Sequence, residues 1–534
     1  MSLVYETPST STQRVSYSRP LSLNELSYFL PSRAYGLNDM FVRVVVRAPP
    51  DLMTPLRFRI AWAIMRLRHT LLACQVEMEP GRYDGARFKY SPPSSPRNAA
   101  EEAQDTLHIF DDRSGPELME SFLDPTTPRR LSSYRISRLD VAKQGPVSPG
   151  LEEYHILVMT IHAINDGVAL HRHCDMVLQL LCGSATPGGL PRTDAELASL
   201  LDLEWTMRCG QPRADSIIVR ATEDRFPSPR SKLQLATWVV DHQNVKKRAI
   251  GGQALPRMKS QVCRQTIEQK FWNAEETAAI RAACKARGVT LTTAAFALIN
   301  FAWIRTAQDH PELNSSKALP MMIYTAVSLR RHLPQPSPLS SYMSLALGYC
   351  NIVLPSFIPT MADPTAMFWS RARSAQSQMS AYSHSPLLLA RCSMMGSERA
   401  LRAKAFAKQD DEANGTTPQT AQKPSQLSQL PAPGVSAVPS VALLGITCLG
   451  DLGSVYRPER YPCAKFMDAF SHVRNAKGSI LMSTQMLNGT FSMTLGYDAA
   501  AFSPGVVEDF WRYYVGGVRE FILGATSSVL SSKL

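Results

Sequence analysis

The alternation of apolar and polar positions divides the chain into segments of different period. From Asp51 to Leu71, the residues Leu52, Leu56, Ile60, Ile64, Leu67 and Leu71 recur at helical spacing and predict an amphipathic helix. Ala73–Met78 reads as a short strand. Ser91–Asp105, with its prolines and charges, reads as a loop. Tyr154–Ile161 (Tyr-His-Ile-Leu-Val-Met-Thr-Ile) is nearly all apolar and rich in branched side chains, the pattern of a strand buried at the centre of a sheet. A short turn separates it from Gly167–Leu181, where Leu170, Cys174, Val177, Leu178 and Leu181 have helical spacing. Gly183 marks the end of that helix.

Beyond the Pro- and Gly-rich stretch Pro187–Pro191 and a region read as irregular to Ser260, the pattern restarts. It predicts a strand over Val262–Phe271, helices over Glu275–Arg287 and Thr290–Arg305, and strands over Met321–Leu329 and Tyr349–Leu354. Residues 404–440 are rich in Gln, Ser, Pro, Ala and Thr. With almost no large apolar groups such a run cannot build a core, so it is expected to be a disordered insertion. Strand patterning resumes at Val441, and Val507, Phe510, Tyr514, Val518 and Phe521 predict a closing amphipathic helix. The expected organisation is a polar tail (1–20), a first lobe (21–212), a connection (213–261), a second lobe (262–525) and a terminal tail (526–534). No internal repeat is visible.

Length and composition agree with this division. A chain of 534 residues exceeds one ordinary core and suits two domains. With 44% hydrophobic and 19% charged residues it has the composition of a globular protein. No apolar run reaches the roughly 18 residues of a membrane span, so no integral membrane segment is expected. The polar, Ser- and Thr-rich start does not read as a signal peptide. The ten cysteines form no C-x-x-C pair and fit a reducing interior. The net charge of +12 is compatible with nucleic acid, acidic membranes or a phosphorylated small molecule. The lysines and arginines are dispersed, however, and the densest stretch, Lys246-Lys247-Arg248, lacks interleaved aromatics. Nucleic acid is therefore not an expected partner.

The chemistry concentrates where the buried strand ends, at Ile161-His162-Ala163-Ile164-Asn165-Asp166-Gly167. A rigid strand end fixes the His162 imidazole, and an unperturbed pKa near 6.5 suits it to take a proton from an alcohol. Gly167 allows close chain reversal. Asp166 stands where a helix N-cap is common, and a histidine ending a strand is often only structural. His171 and His173 are two apart on a helix and do not share a face, so no metal site is expected. There is no Gly-x-Ser-x-Gly elbow, phosphate-binding loop, dinucleotide fingerprint or His-Glu-x-x-His.

His162–Gly167 resembles the H-x-x-x-D-G motif of the chloramphenicol acetyltransferase-like superfamily of acyltransferases, which includes condensation domains. The likeness continues in order. Thr290–Ile299 resembles the helix opening the second lobe, and Val327–Arg331 a strand ending in arginine. Gly348–Asn351 resembles a G-x-x-N turn, and Asn488-Gly489 with Phe491–Tyr497 the closing strand. Leu449–Gly453 stands where plant members carry D-F-G-W-G, and departs from it. Condensation domains usually carry two histidines, whereas here Ile161 precedes His162, which favours a free-standing alcohol acyltransferase. The resemblance implies an α/β fold of two lobes, each a mixed sheet flanked by helices, with an active-site tunnel between them. His162 would be general base at its midpoint. Asp166 would point away from substrate and pair with Arg330, with Arg331 behind. Acyl-CoA would be co-substrate, with no permanently bound cofactor or metal, and the protein would act as a monomer. Ser454 and Thr447 are candidate oxyanion donors.

The chain ends Ser532-Lys533-Leu534, a tripeptide read by the peroxisomal import receptor. With the single-histidine motif, this address resembles the peroxisomal acyltransferases of mannosylerythritol lipid biosynthesis. It implies transfer of a short- or medium-chain acyl group to a glycolipid hydroxyl. Another secondary-metabolite alcohol as acceptor, and a non-catalytic binding protein of the same fold, are the alternatives.

Overall fold

The computed structural model describes residues 15–184, 189–210, 217–260, 262–316, 319–334, 343–416 and 440–524. Three sheets organise it. A small one joins β1 (Tyr17–Pro20), β3 (Gln75–Glu77) and β4 (Arg87–Tyr90). The first large sheet contains β2 (Met40–Ala48), β5 (Leu107–Phe110), β6 (Ser137–Ser148), β7 (Leu151–Thr160) and β12 (Lys465–Val473), in the order β12-β2-β7-β6-β5. The second contains β8 (Gln265–Trp272), β9 (Met321–Ser328), β10 (Leu347–Leu354), β11 (Leu444–Asp451), β13 (Ile480–Leu487) and β14 (Thr490–Asp498), in the order β10-β9-β11-β13-β14-β8. Both are mixed: β5–β6 is parallel in the first, and β11 is parallel to β9 and β13 in the second. Asn488 and Gly489, both with positive φ, form the tight turn of the β13–β14 hairpin.

Helices cover the sheets. The first half supplies α1 (Leu23–Tyr35), α2 (Pro55–Arg68), α3 (Pro96–Gln104), α4 (Gly115–Leu123), α5 (Gly167–Cys182), α6 (Asp194–Cys209) and α7 (Lys232–Arg248). The second supplies α8 (Ala274–Ala286), α9 (Leu291–Asp309), α10 (Pro364–Ser383), α11 (Leu388–Ala413) and α12 (Val506–Gly517). The buried apolar residues fall into two cores, one per large sheet. Helix α9 is buried almost all round between α10 and α12, as its continuous apolar sequence requires.

Two elements of the second half cross over. Strand β12 pairs with β2 at the edge of the first sheet, and α11 packs along α1, giving Ala400, Ala403 and Ala407 to the first core. Residues 262–525 therefore do not make one self-contained lobe. Other expectations also need correction. Ser91–Asp105 is not all loop: Ser95 caps α3 and Pro96 occupies its first turn, where a missing N–H costs nothing. The region to Ser260 holds α6, opened by a Thr193/Glu196 capping box, and α7, capped by Ser231. Within 1–20, Tyr17–Pro20 is a strand paired with β4, while 1–14 lie outside the described residues. In the expected insertion 404–440, helix α11 continues to Ala413, and 417–439 lie outside the described residues. Helix α2 starts at Pro55, not Asp51, and Leu56 on its expected buried face is 42% exposed.

Candidate active site

Strand β7 lies in the middle of its sheet, bonded to β2 and β6 on either side, so its end is among the stiffest points of the first lobe. It stops at Thr160. The chain turns through Ile161–Asn165, and Asp166 caps α5 by accepting from the Ala169 N–H at 3.1 Å. His162 is half-buried at this turn. Its Nδ1 lies 2.8 Å from the Asn165 carbonyl oxygen. A carbonyl can only accept, so Nδ1 carries the proton and the lone pair resides on Nε2, the nitrogen turned away from that anchor. Burial pulls the imidazole below its ordinary pKa of 6.5. Hydrogen bonding to backbone carbonyls and the Asp166 carboxylate oppose this, and the Arg399 cation adds to it. Burial thus favours the neutral imidazole, and the Asn165 carbonyl selects its tautomer.

Asp166 is 1% exposed and serves two ends at once. Besides capping α5, it accepts from Arg330 Nη1 at 2.7–2.9 Å and from the Ala346 N–H at 3.1 Å. Arg330 also donates to the Ser344 carbonyl. The carboxylate therefore ties the turn of the first lobe to the segments flanking β9 and β10 in the second. The expected Arg330 pairing is present. Arg331 is not behind it: that side chain is exposed and turned to His332. Gly167 matters for approach rather than reversal. A Cβ there would lie 2.7 Å from Leu449 Cδ2, so the second lobe packs against the missing side chain.

Sequence reasoning missed what covers His162. The Tyr28 ring of α1 stacks on the imidazole at 4.1 Å and 24°. The Arg399 guanidinium of α11 lies over Tyr28 at 5.0 Å and over Tyr349 of β10 at 4.2 Å. An imidazole, a phenol, a guanidinium and a second phenol thus run in series from the first lobe into the second. Nothing local in the sequence marks these residues, because the stack exists only once α11 lies on α1. Beside it is a cavity of ≈ 10 Å³, about one water, lined by Asn24, Glu223, Tyr349 and Arg399 among others. A larger cavity of ≈ 230 Å³ opens where β12 leaves the second lobe, lined by Phe271, Asp468, Gln485 and Asn488 among others. His162 lines neither.

The remaining expected residues fall elsewhere. Ser454 is exposed and donates to the Asp451 carbonyl of its own turn, so it is occupied locally. Thr447 sits on β11 opposite Ser483. Gly348–Asn351 is not a turn but part of β10, where a Cβ at Gly348 would meet Cys392 Sγ at 2.6 Å. His171 bridges the Tyr456 and Ser471 hydroxyls, whereas His173 faces Asn165 and His69. Ser532–Leu534 lie outside the described residues.

Compared by sequence, the chain matches no protein family and no curated protein. Compared by structure, it is similar to the TRI3 trichothecene 15-O-acetyltransferase from Fusarium sporotrichioides, with TM-score 0.66, 14% identity and 95% of each chain covered. It is also similar to the condensation domain of the monacolin K polyketide synthase MokA, with TM-score 0.56, 13% identity, and 95% of this chain and 98% of that one covered. The epimerization domain from the third module of tyrocidine synthetase B matches at TM-score 0.54 and 12% identity, over 96% of this chain and 99% of that one. The fold is therefore the two-lobed α/β fold of chloramphenicol acetyltransferase-like acyltransferases and condensation domains.

Proposed function

We propose that the chain is an acyl-CoA-dependent O-acyltransferase with His162 as general base. The observation that carries this reading is the 2.8 Å contact from His162 Nδ1 to the Asn165 carbonyl, which leaves Nε2 unprotonated on the lobe-facing turn. In the reaction, Nε2 takes the proton of an acceptor hydroxyl as its oxygen attacks the thioester carbonyl. The tetrahedral intermediate collapses with loss of the coenzyme A thiolate, and the imidazolium returns its proton to that sulfur. Asp166 does not take part in proton transfer: both carboxylate oxygens are committed to Arg330, Ala169 and Ala346. The similar TRI3 structure is that of a trichothecene 15-O-acetyltransferase, which supports ester formation on an alcohol rather than amide formation.

The finer reading is a sugar–polyol glycolipid of the mannosylerythritol type as acceptor, a short- or medium-chain donor and a peroxisomal site of action. It rests on the terminal Ser532-Lys533-Leu534 and on the single-histidine motif. The test is incubation of the pure protein with an acyl-CoA panel and a set of acceptors: deacylated glycolipid, terpenoid alcohols and polyketide alcohols. Free thiol is read by colour and product by mass spectrometry. Acceptor-dependent thiol release, abolished in His162→Ala, supports the reading. Transfer to terpenoid or polyketide alcohols alone overturns the glycolipid acceptor, and release unchanged in His162→Ala overturns the mechanism.

A further inference from the structure

Helix α7 lies against α11 with little of itself covered. Trp238 and His242 face the body of the protein, at 7% and 5% exposure. The opposite side carries Leu233 at 78% and Val240 at 58%, with Ala236 between them at helical spacing; Val239, 41% exposed, flanks it, Leu235 lies on the Trp238 side, and beyond Val240 the outer side is polar, with Gln243, Asn244 and Lys247. Scattered single apolar residues on a surface need no explanation, but a cluster on one helix face does. Its surroundings are cationic. Arg230 and Lys232 stand at the N-terminal end and Lys247 and Arg248 at the other, all exposed and without an ion pair among the described residues. Lys246 reaches Glu398 at 2.8 Å, and the one acid of the helix, Asp241, is held by Arg391. Asp241 also lies near enough to Arg248 to feel its charge, which leaves Arg230, Lys232 and Lys247 with no acid of α7 to offset them.

We infer that the outer face of α7 docks the protein on an anionic lipid surface. A helix of 17 residues is about 25 Å long and can lie flat in an interface. Leu233, Ala236, Val239 and Val240 then enter the acyl boundary, while the cations at both ends meet headgroup phosphates and carboxylates. Charge decides between this partner and a second copy of the chain. A two-fold contact through α7 sets the same cations against each other, whereas a lipid surface supplies the missing anions. The inference uses no residue of the His162 site and stands apart from the acyl-transfer reading.

The test is flotation of the full chain with vesicles of phosphatidylcholine alone and of phosphatidylcholine mixed with phosphatidylserine. Binding is expected only to the anionic vesicles and should weaken as salt is raised. The pair Lys247→Gln/Arg248→Gln should bind on the order of 30-fold more weakly, the product of about 5-fold for each lost cation. The pair Leu233→Glu/Val240→Glu should abolish binding. Circular dichroism checks that both fold, as the exposure of these positions predicts. Absence of vesicle binding, equal binding to neutral vesicles, or undiminished binding by both variants overturns the proposal. So does sedimentation showing a dimer that Leu233→Glu/Val240→Glu dissolves, which would make the face a protein contact.

Discussion

Replacing Asp166 tests whether the aspartate of the motif is architectural. The carboxylate is 1% exposed and holds the Arg330 guanidinium, whose side chain is 11% exposed, together with the Ala169 and Ala346 N–H groups. Asp166→Ala leaves a nearly buried cation without its counter-charge, at a cost of about 3–5 kcal/mol, and removes a helix cap whose separate value is about 1 kcal/mol. These losses share atoms and do not add fully. Against a total stability of about 5–15 kcal/mol, the expected result is a protein that melts far earlier or fails to accumulate. Asp166→Asn keeps an acceptor for the N–H groups and should fall between. The informative measurement is a double-mutant cycle by urea denaturation, with Asp166→Ala, Arg330→Met and both together. Arg330→Met in the Asp166→Ala background removes the stranded charge, so the double variant should be clearly more stable than the sum of the singles predicts, by about 1–3 kcal/mol. Additive losses refute the reasoning. Unchanged melting of Asp166→Ala with activity gone refutes it differently, by moving Asp166 into the chemistry.

Three further outcomes are expected. His162→Ala should lose roughly 10²- to 10⁴-fold in turnover with its melting curve nearly intact, measured by thiol release and by scanning calorimetry. A general base must be neutral to act, so if His162 is the base, its lowered pKa makes kcat/KM fall only on the acid side, with its midpoint below 6.5. In Arg399→Met, loss of a nearby cation should move that midpoint up, and titration of His162 by NMR in the absence of substrate checks the same shift. Glu223 is pushed up to about 7 chiefly by burial, with Glu25 adding to it. A carboxyl whose folded pKa is raised is protonated in the fold and ionised when unfolded, so stability falls as pH rises from about 4.5 to about 7. Glu223→Gln should therefore stabilise at pH above about 7, by up to about 3 kcal/mol, and change little in acid, as urea midpoints at two pH values would show.

Much of the frame was legible because its signals are local. Tyr154–Ile161 carries the continuous apolar run of a central strand, and Asp166-Gly167 the cap and small residue that open α5. The misses had two causes. For α3 and α6, start signals are present but competed with: Ser95-Pro96 has the chemistry of a breaker as well as of a cap, and the Thr193/Glu196 box lies next to a Pro- and Gly-rich stretch. For Tyr28 and Arg399 there was no signal to weigh. Ring stacking across 371 positions (399 − 28) depends on how α11 crosses to the first lobe, and no period within either helix records it. The same holds for β12, whose apolar alternation suits the edge of either sheet.

Two arginines of the second half, Arg330 and Arg399, approach the His162 turn through different partners and with different effect. Arg330 neutralises Asp166 and so ties down the polypeptide just after the imidazole. Arg399 lies over the Tyr28 ring that stacks on the imidazole, and its charge disfavours protonation there. One cation therefore braces the turn, and the other adds a small push to the burial that already disfavours protonation of the histidine. Arg330 follows β9, so its contact with Asp166 joins the two halves, whereas Arg399 lies on α11, which itself packs along α1 in the first core. The His162 turn is thus fixed by contacts that no single core supplies: its backbone anchor and helix cap come from the first half, and the guanidinium that neutralises Asp166 from the second.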